Sequence, residues 1–185
     1  MEKKKIILSL ICAVVLLTNI GCNCQSSKSV KEKVGVGVYD SRAVAIAYVH
    51  SDILKKEMEI KMAEMKKAKA EGDTKKIKEL EKWGQSHQAN IHRQGFSTAP
   101  VDDLLKHVED KLPKVMEDAN VTALVSKWDE KMLKHYKQAE QVDVTDEMAA
   151  LFNPNEKALE AIEQLKDEKP IPLWKLETMM LFEKH

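Results

Sequence analysis

Few residues in this chain have the types and spacing that chemistry needs. His87 and His92 lie five positions apart, so on an ideal helix they point about 140° apart and do not converge on one metal ion. No Glu stands between them in the zinc-protease arrangement, and a metal site would need His107 or His135 brought in by the fold. Asp40-Ser41-Arg42 joins a carboxylate, a hydroxyl and a guanidinium, and Asp143 and Asp146 are acids that could face them. Helix capping and a local ion pair account for those residues without catalysis. Ser126-Lys127-Trp128-Asp129 puts an indole and a cation after a strand, where Trp128 is expected to pack in the core or at a subunit interface. There is no Gly-rich phosphate loop, nucleophile elbow or pair of metal-binding cysteines. The expectation is a protein that is not an enzyme and needs no cofactor and no metal.

The three cysteines, Cys12, Cys22 and Cys24, all lie near the N-terminus. They follow Glu2-Lys3-Lys4-Lys5 and an apolar run from Ile6 to Leu17, the order of a secretory signal. The run is short of the roughly 20 apolar residues that span a bilayer. Gly21-Cys22 just past it resembles a bacterial lipobox, with Asn19 where Leu is usual. That resemblance implies a signal peptide at 1–21, lipid attachment at Cys22 and a polar tether over 22–33. The alternative is ordinary cleavage near Gly21 or Cys24 that leaves thiols. Either way the protein is expected in a bacterial cell envelope, facing the periplasm. Beyond Ser26 there is no cysteine for a disulfide, a zinc thiolate or a nucleophile.

Composition narrows the class further. The 185 residues are 43% apolar, 32% charged and 5% aromatic, which fits one modest globular domain and excludes a wholly disordered, collagenous or polytopic membrane chain. Thirty Lys+Arg face thirty Asp+Glu; without residues 1–21 the counts are 27 and 29. No basic excess suggests a nucleic-acid partner.

Lys33-Val34-Gly35-Val36-Gly37-Val38-Tyr39 alternates strictly and predicts a strand over 34–39. Asp40 or Ser41 can cap the helix that follows. No Gly or Pro interrupts Ala43 to Ala70, and Leu54, Met58, Met62 and Met65 fall at spacings of four, four and three. That predicts one long Lys-rich helix with a narrow apolar stripe. A Met stripe of this kind either packs on a neighbouring helix or offers an adaptable surface for polypeptides. Glu71-Gly72-Asp73-Thr74 stops one helix and starts another, which carries Ile77, Leu80 and Trp83 and is expected to weaken at Gly84. A break at 95–100, a stripe of Val101, Leu104, Leu105, Val108 and Leu112, and a kink at Pro113 come next. Strands are expected at 121–126 and 141–144, then a helix capped by Thr145, and a helix from Glu156. Pro170-Ile171-Pro172 leads into an apolar tail that ought to dock on the body. The fold class is α+β, mostly helical, with a small sheet body, a long helical excursion between its first two strands, and C-terminal helices over 153–185.

The opening Val34-Gly35-Val36-Gly37-Val38-Tyr39-Asp40-Ser41-Arg42-Ala43-Val44, the strand at Asn120 to Ser126 and the closing Val142-Asp143-Val144-Thr145-Asp146-Glu147 together resemble the OmpH/Skp-like periplasmic chaperones over 34–152. The resemblance implies a homotrimer whose small β body carries helical prongs around unfolded outer-membrane proteins. This chain departs from the family in its near-neutral charge, its lipid signal and a return helix interrupted at Gly84 and 95–100. The expected function is an envelope lipoprotein that holds exported polypeptides without ATP, using Leu54, Met58, Met62 and Met65. The alternative is a structural or adaptor lipoprotein bound to one folded partner.

Overall fold

The computed structural model describes residues 35–182. The expected signal, the lipid site Cys22, the tether and Val34 lie outside the described residues.

The sequence order strand, helices, strand, strand resolves into a parallel sheet. β1 (Gly35–Tyr39) is its central strand, flanked by β2 (Val121–Ser126) and β3 (Glu140–Asp143). Both neighbours run parallel to it, Gly37 lying opposite Leu124 on one side and Val142 on the other. Parallel neighbours require a crossover, and the first is the whole helical excursion. The glycines of β1 are spacing devices. A Cβ at Gly37 would stand 2.8 Å from Leu124 Cδ2 and 3.1 and 3.2 Å from side-chain carbons of Val144 and Val121. Gly37→Val should therefore cost about 1–3 kcal/mol by overpacking, read as a lower urea midpoint with an unchanged slope.

The helix after β1 is not one long rod. α1 (Ser41–Val49) ends at His50, and α2 (Asp52–Glu71) starts afresh. Ser51 makes the break: its hydroxyl donates to the Tyr48 carbonyl at 2.7 Å and accepts from the Leu54 amide at 3.3 Å. A buried Ser that satisfies both helix ends outweighs continuity of helix propensity. α1 is the central helix of the body. Ala43, Val44, Ala45, Ala47 and Tyr48 are all buried, as an element apolar on every side requires.

Gly72 ends α2 in the left-handed conformation at φ 70°, and the Asp73 side chain accepts from the Lys76 amide at 2.9 Å. α3 (Thr74–Phe96) then returns along α2. The expected interruption at Gly84 does not occur. One glycine costs a helix interior only about 1 kcal/mol, and the turns on both sides of it hold. The expected break at 95–100 does occur: α3 ends at Phe96, and the Ser97 amide caps the Arg93 carbonyl.

α4 (Asp102–Leu105), a 3-10 turn (Lys106–Lys111) and α5 (Leu112–Asp118) bury Val101, Leu104 and Val108 as the stripe predicted. Pro113 sits in the first turn of α5, where its missing N–H costs nothing. α6 (Glu130–His135), capped by Asp129, joins β2 to β3 and was not legible beforehand. α7 (Thr145–Ala150), α8 (Glu156–Leu165, capped by Asn155) and α9 (Leu173–Phe182) follow. The core gathers Val44 and Tyr48 of α1, Leu104 of α4, Val108 of the 3-10 turn, Val144, Met148 and Phe152 of α7 and its flanks, and Ile162 of α8. The tail docks through little: Leu176 is buried, the Ile171 amide donates to the Phe96 carbonyl, and Arg93 pairs with Glu177 at 3.4 Å. Trp174 points outward, 71% exposed.

Candidate functional site

Open parallel sheets often bind ligands beyond the carboxyl ends of their strands. Here that end is occupied by a closed polar knot. Asp40, the N-cap of α1, accepts on Oδ1 from the Arg42 amide (3.0 Å), Arg42 Nε (3.1 Å) and Trp128 Nε1 (2.9 Å). Its Oδ2 takes Arg42 Nη2 at 2.9 Å and Lys127 Nζ at 2.6 Å. Burial alone would raise this carboxyl, but the hydrogen bonds from Arg42, Lys127 and Trp128 outweigh it and hold Asp40 below its ordinary value. Arg42 also donates to the carbonyls of Leu165 (3.3 Å) and Glu168 (2.9 Å), tying the end of α8 to the sheet. The guanidinium lies 5.0 Å from the centre of the Trp128 ring, so Trp128 is part of the knot.

Thr145 does not cap α7. Its hydroxyl accepts from the Asp40 amide at 3.0 Å, while Asp143 accepts from the Thr145 amide at 2.9 Å. Asp146 pairs with Lys166 at 3.1 Å. A polar cavity of about 400 Å³ lies among Lys127, Asp143, Thr145, Asp146, Glu147 and Lys166. Asp40 keeps no acceptor in reserve, and the arrangement has the character of an anchor.

The histidines are dispersed. His87 stacks on Trp83 at 4.9 Å and meets Tyr48 edge-on at 6.4 Å; His107 stacks on Tyr48 at 5.4 Å. His92 meets Phe96, and His135 meets Tyr136. Among the described residues no three His, Cys, Asp or Glu side chains converge as a metal set.

A more apolar concavity is the crease between α2 and α3. Met58, Met62 and Met65 line it from α2, and Leu80, Trp83 and Gly84 from α3, around about 530 Å³. Only Ala68 of the twenty residues of α2 is buried. Met62 is 67% exposed and Met58 38%. The Met stripe is thus half packing and half open surface, which one helix facing only one neighbour requires. Leu54 leaves the set and packs against the core of the body.

Charges rim this apolar floor. Lys61, Lys66 and Lys69 stand along the α2 side and Glu81 on the other. Lys61 lies 5.4 Å from the centre of the Trp83 ring and pairs with Glu64 at 3.3 Å; Glu64 also takes Lys76 at 3.3 Å. Hydrogen bonds from Lys76 and then Lys61 lower the Glu64 carboxyl. Lys66 and Lys69 have no carboxylate partner among the described residues. Leu80 and Trp83 belong to the site although the sequence placed them only on the second helix, without a role. The cue to the site was the facing pair of stripes on either side of Gly72.

No family model, curated protein or solved structure matches the chain.

Proposed function

We propose that this protein is a lipid-anchored envelope protein that binds exported polypeptides in the α2–α3 groove, an ATP-independent holding activity of the OmpH/Skp-like kind. The observation that carries this reading is the exposed, Met-lined crease on a helical pair whose outer helix buries almost nothing. Methionine suits such a surface because its flexible, polarizable side chain adapts to many apolar partners. The signal and Cys22 supply the location, and a homotrimer would multiply the grooves.

The test is aggregation of an unfolded outer-membrane barrel protein, followed by light scattering at stoichiometric ratios. The protein should slow it, and Met58→Glu/Met62→Glu should need about tenfold more protein for the same effect, as loss of central apolar anchors implies. Thermal stability of that variant should change by less than about 0.5 kcal/mol, because both positions are on the surface. No slowing by the unaltered protein would defeat the reading.

An adaptor bound to one folded partner is favoured by a different feature, the outer face of α9. Trp174, Leu181 and Phe182 are 71%, 65% and 77% exposed there, and a helix apolar on both sides is normally covered. Crosslinking in cells separates the two readings: a broad smear supports holding of many chains, and a single dominant adduct supports the adaptor.

A further inference from the structure

We infer that the α2–α3 groove takes an amphipathic helix with an acidic flank and not an extended chain, an inference that rests on the polypeptide-binding reading above.

Backbone hydrogen bonding decides the form of the occupant. The groove is walled by helices whose own N–H and C=O groups are spent internally, and its lining offers Met, Leu and Trp with charged groups only at the rim. An extended segment laid on that floor would bury amides and carbonyls without partners, each costing about 1–3 kcal/mol. A helix brings its backbone already paired and presents only side chains. Dimensions agree: from Met58 to Lys69 the α2 wall spans twelve residues, about 16 Å or three turns of a docked helix. Gly84 leaves a notch: apart from its chain neighbours and the local backbone of α3, no atom lies within 4 Å of where its Cβ would stand, so a bulky partner side chain can approach the α3 backbone.

Charge decides which helix. Three lysines line the α2 rim against one glutamate on the α3 side. Lys61 shares Glu64, but Lys66 and Lys69 have no carboxylate among the described residues. Glutamates or aspartates flanking the apolar stripe of the incoming helix, on the side that faces α2, would complete those pairs. Basic amphipathic helices would meet like charge and be rejected.

The test uses three labelled synthetic peptides and the full protein, with binding read by fluorescence anisotropy. One peptide is about eighteen residues with Leu at helical spacing and Glu beside the stripe. The second has the same composition in an order that destroys the period, and the third has Lys in place of Glu. The first should bind at least about tenfold more tightly than either other, with an advantage over the third that shrinks as salt rises. Lys66→Glu/Lys69→Glu should reverse the preference between the first and third peptides, and Met62→Glu should weaken the first about tenfold. Equal binding of the periodic and scrambled peptides overturns the helical form, and equal binding of the Glu and Lys peptides overturns the acidic preference. If an unfolded barrel protein is held while the periodic peptide is not, this inference falls and the holding function stands; if neither is held, both fall. If the protein self-associates and Met62→Glu dissolves the assembly, a second copy is the occupant and the inference is overturned.

Discussion

Asp40→Ala is expected to lower folding stability by about 3–5 kcal/mol, the loss that follows when one partner of a buried ion pair is removed. The Asp40 side chain is almost fully buried beside Arg42, which is equally enclosed. Without the carboxylate, Arg42 keeps two carbonyl contacts but no counter-charge. Lys127 and Trp128 Nε1 lose their acceptor together. Asp40→Asn separates charge from shape: it keeps the cap and part of the hydrogen bonding, and should recover a fraction of the loss. Urea unfolding followed by circular dichroism measures both. A stability loss under about 1 kcal/mol for the alanine variant, from its midpoint shift at unchanged slope, would show that water replaces the carboxylate easily. The pH dependence has a definite sign. Asp40 is lowered in the fold, so its contribution is complete above the unfolded value of about 3.9 and is lost as pH falls through the lower folded value. The alanine variant should lack that part of the acid unfolding.

This knot also explains how much of the molecule was legible beforehand. Asp40 as a helix cap and Arg42 as its local partner are sequence neighbours, so capping rules reach them. Trp128, Thr145 and the carbonyls of Leu165 and Glu168 arrive from 88 to 128 positions away, and no local pattern ties them to Asp40. The same contrast holds elsewhere. The stripe at Val101, Leu104 and Val108 declares its burial because period and burial coincide. The break at Ser51 does not, since Ser-Asp inside a run of helix formers reads as tolerable until Tyr48 is seen to need its own carbonyl satisfied. Gly84 shows the reverse error, a residue that weakens a helix on paper but has twenty-two helical companions. The sheet was expected from three short valine-bearing segments at 34–39, 121–126 and 141–144, yet its parallel sense follows from the crossovers, which only tertiary packing fixes.

The candidate site was half legible for a related reason. A stripe at spacings of four, four and three says that a helix has an apolar side, but not whether a neighbour covers it. Met58, Met62 and Met65 meet α3 along one edge only, because Gly84 and the mixed surface of α3 supply too little bulk to close the crease. Leu54 carries the same period yet lies one turn nearer the body, where the core absorbs it. The boundary between stability and function therefore falls within one continuous stripe, between Leu54 and Met58.

Tyr48 stands at that boundary, and Tyr48→Ala is expected to cost about 3–5 kcal/mol, the range for emptying a buried aromatic site. Its ring touches His107 on the 3-10 turn, His87 on α3 and Phe152 after α7. Its hydroxyl donates to Glu57 on α2 at 2.9 Å. One side chain thus joins the body to both helices of the groove. Tyr48→Phe should remove only the hydrogen bond, about 1 kcal/mol of global stability, but its local effect should be larger at the start of α2, where Glu57 helps fix the helix. Hydrogen exchange resolves the two: the phenylalanine variant should lose protection in α2 before the sheet does, whereas uniform loss would mean that the hydroxyl supports the whole core. Burial first, and then the bond to Glu57, raises the Tyr48 hydroxyl above its ordinary value. Stability from the neutral phenol is therefore present below the unfolded value of about 10 and is lost as pH rises toward the folded one. Tyr48→Phe should flatten that alkaline decline, leaving the share owed to Tyr39, whose hydroxyl burial raises to about 12. A groove whose base loosens without unfolding the body should bind its helix more weakly while the acid stability set by Asp40 stays unchanged, because the two contacts lie at opposite ends of α1, about 12 Å apart along the helix, and their effects should add.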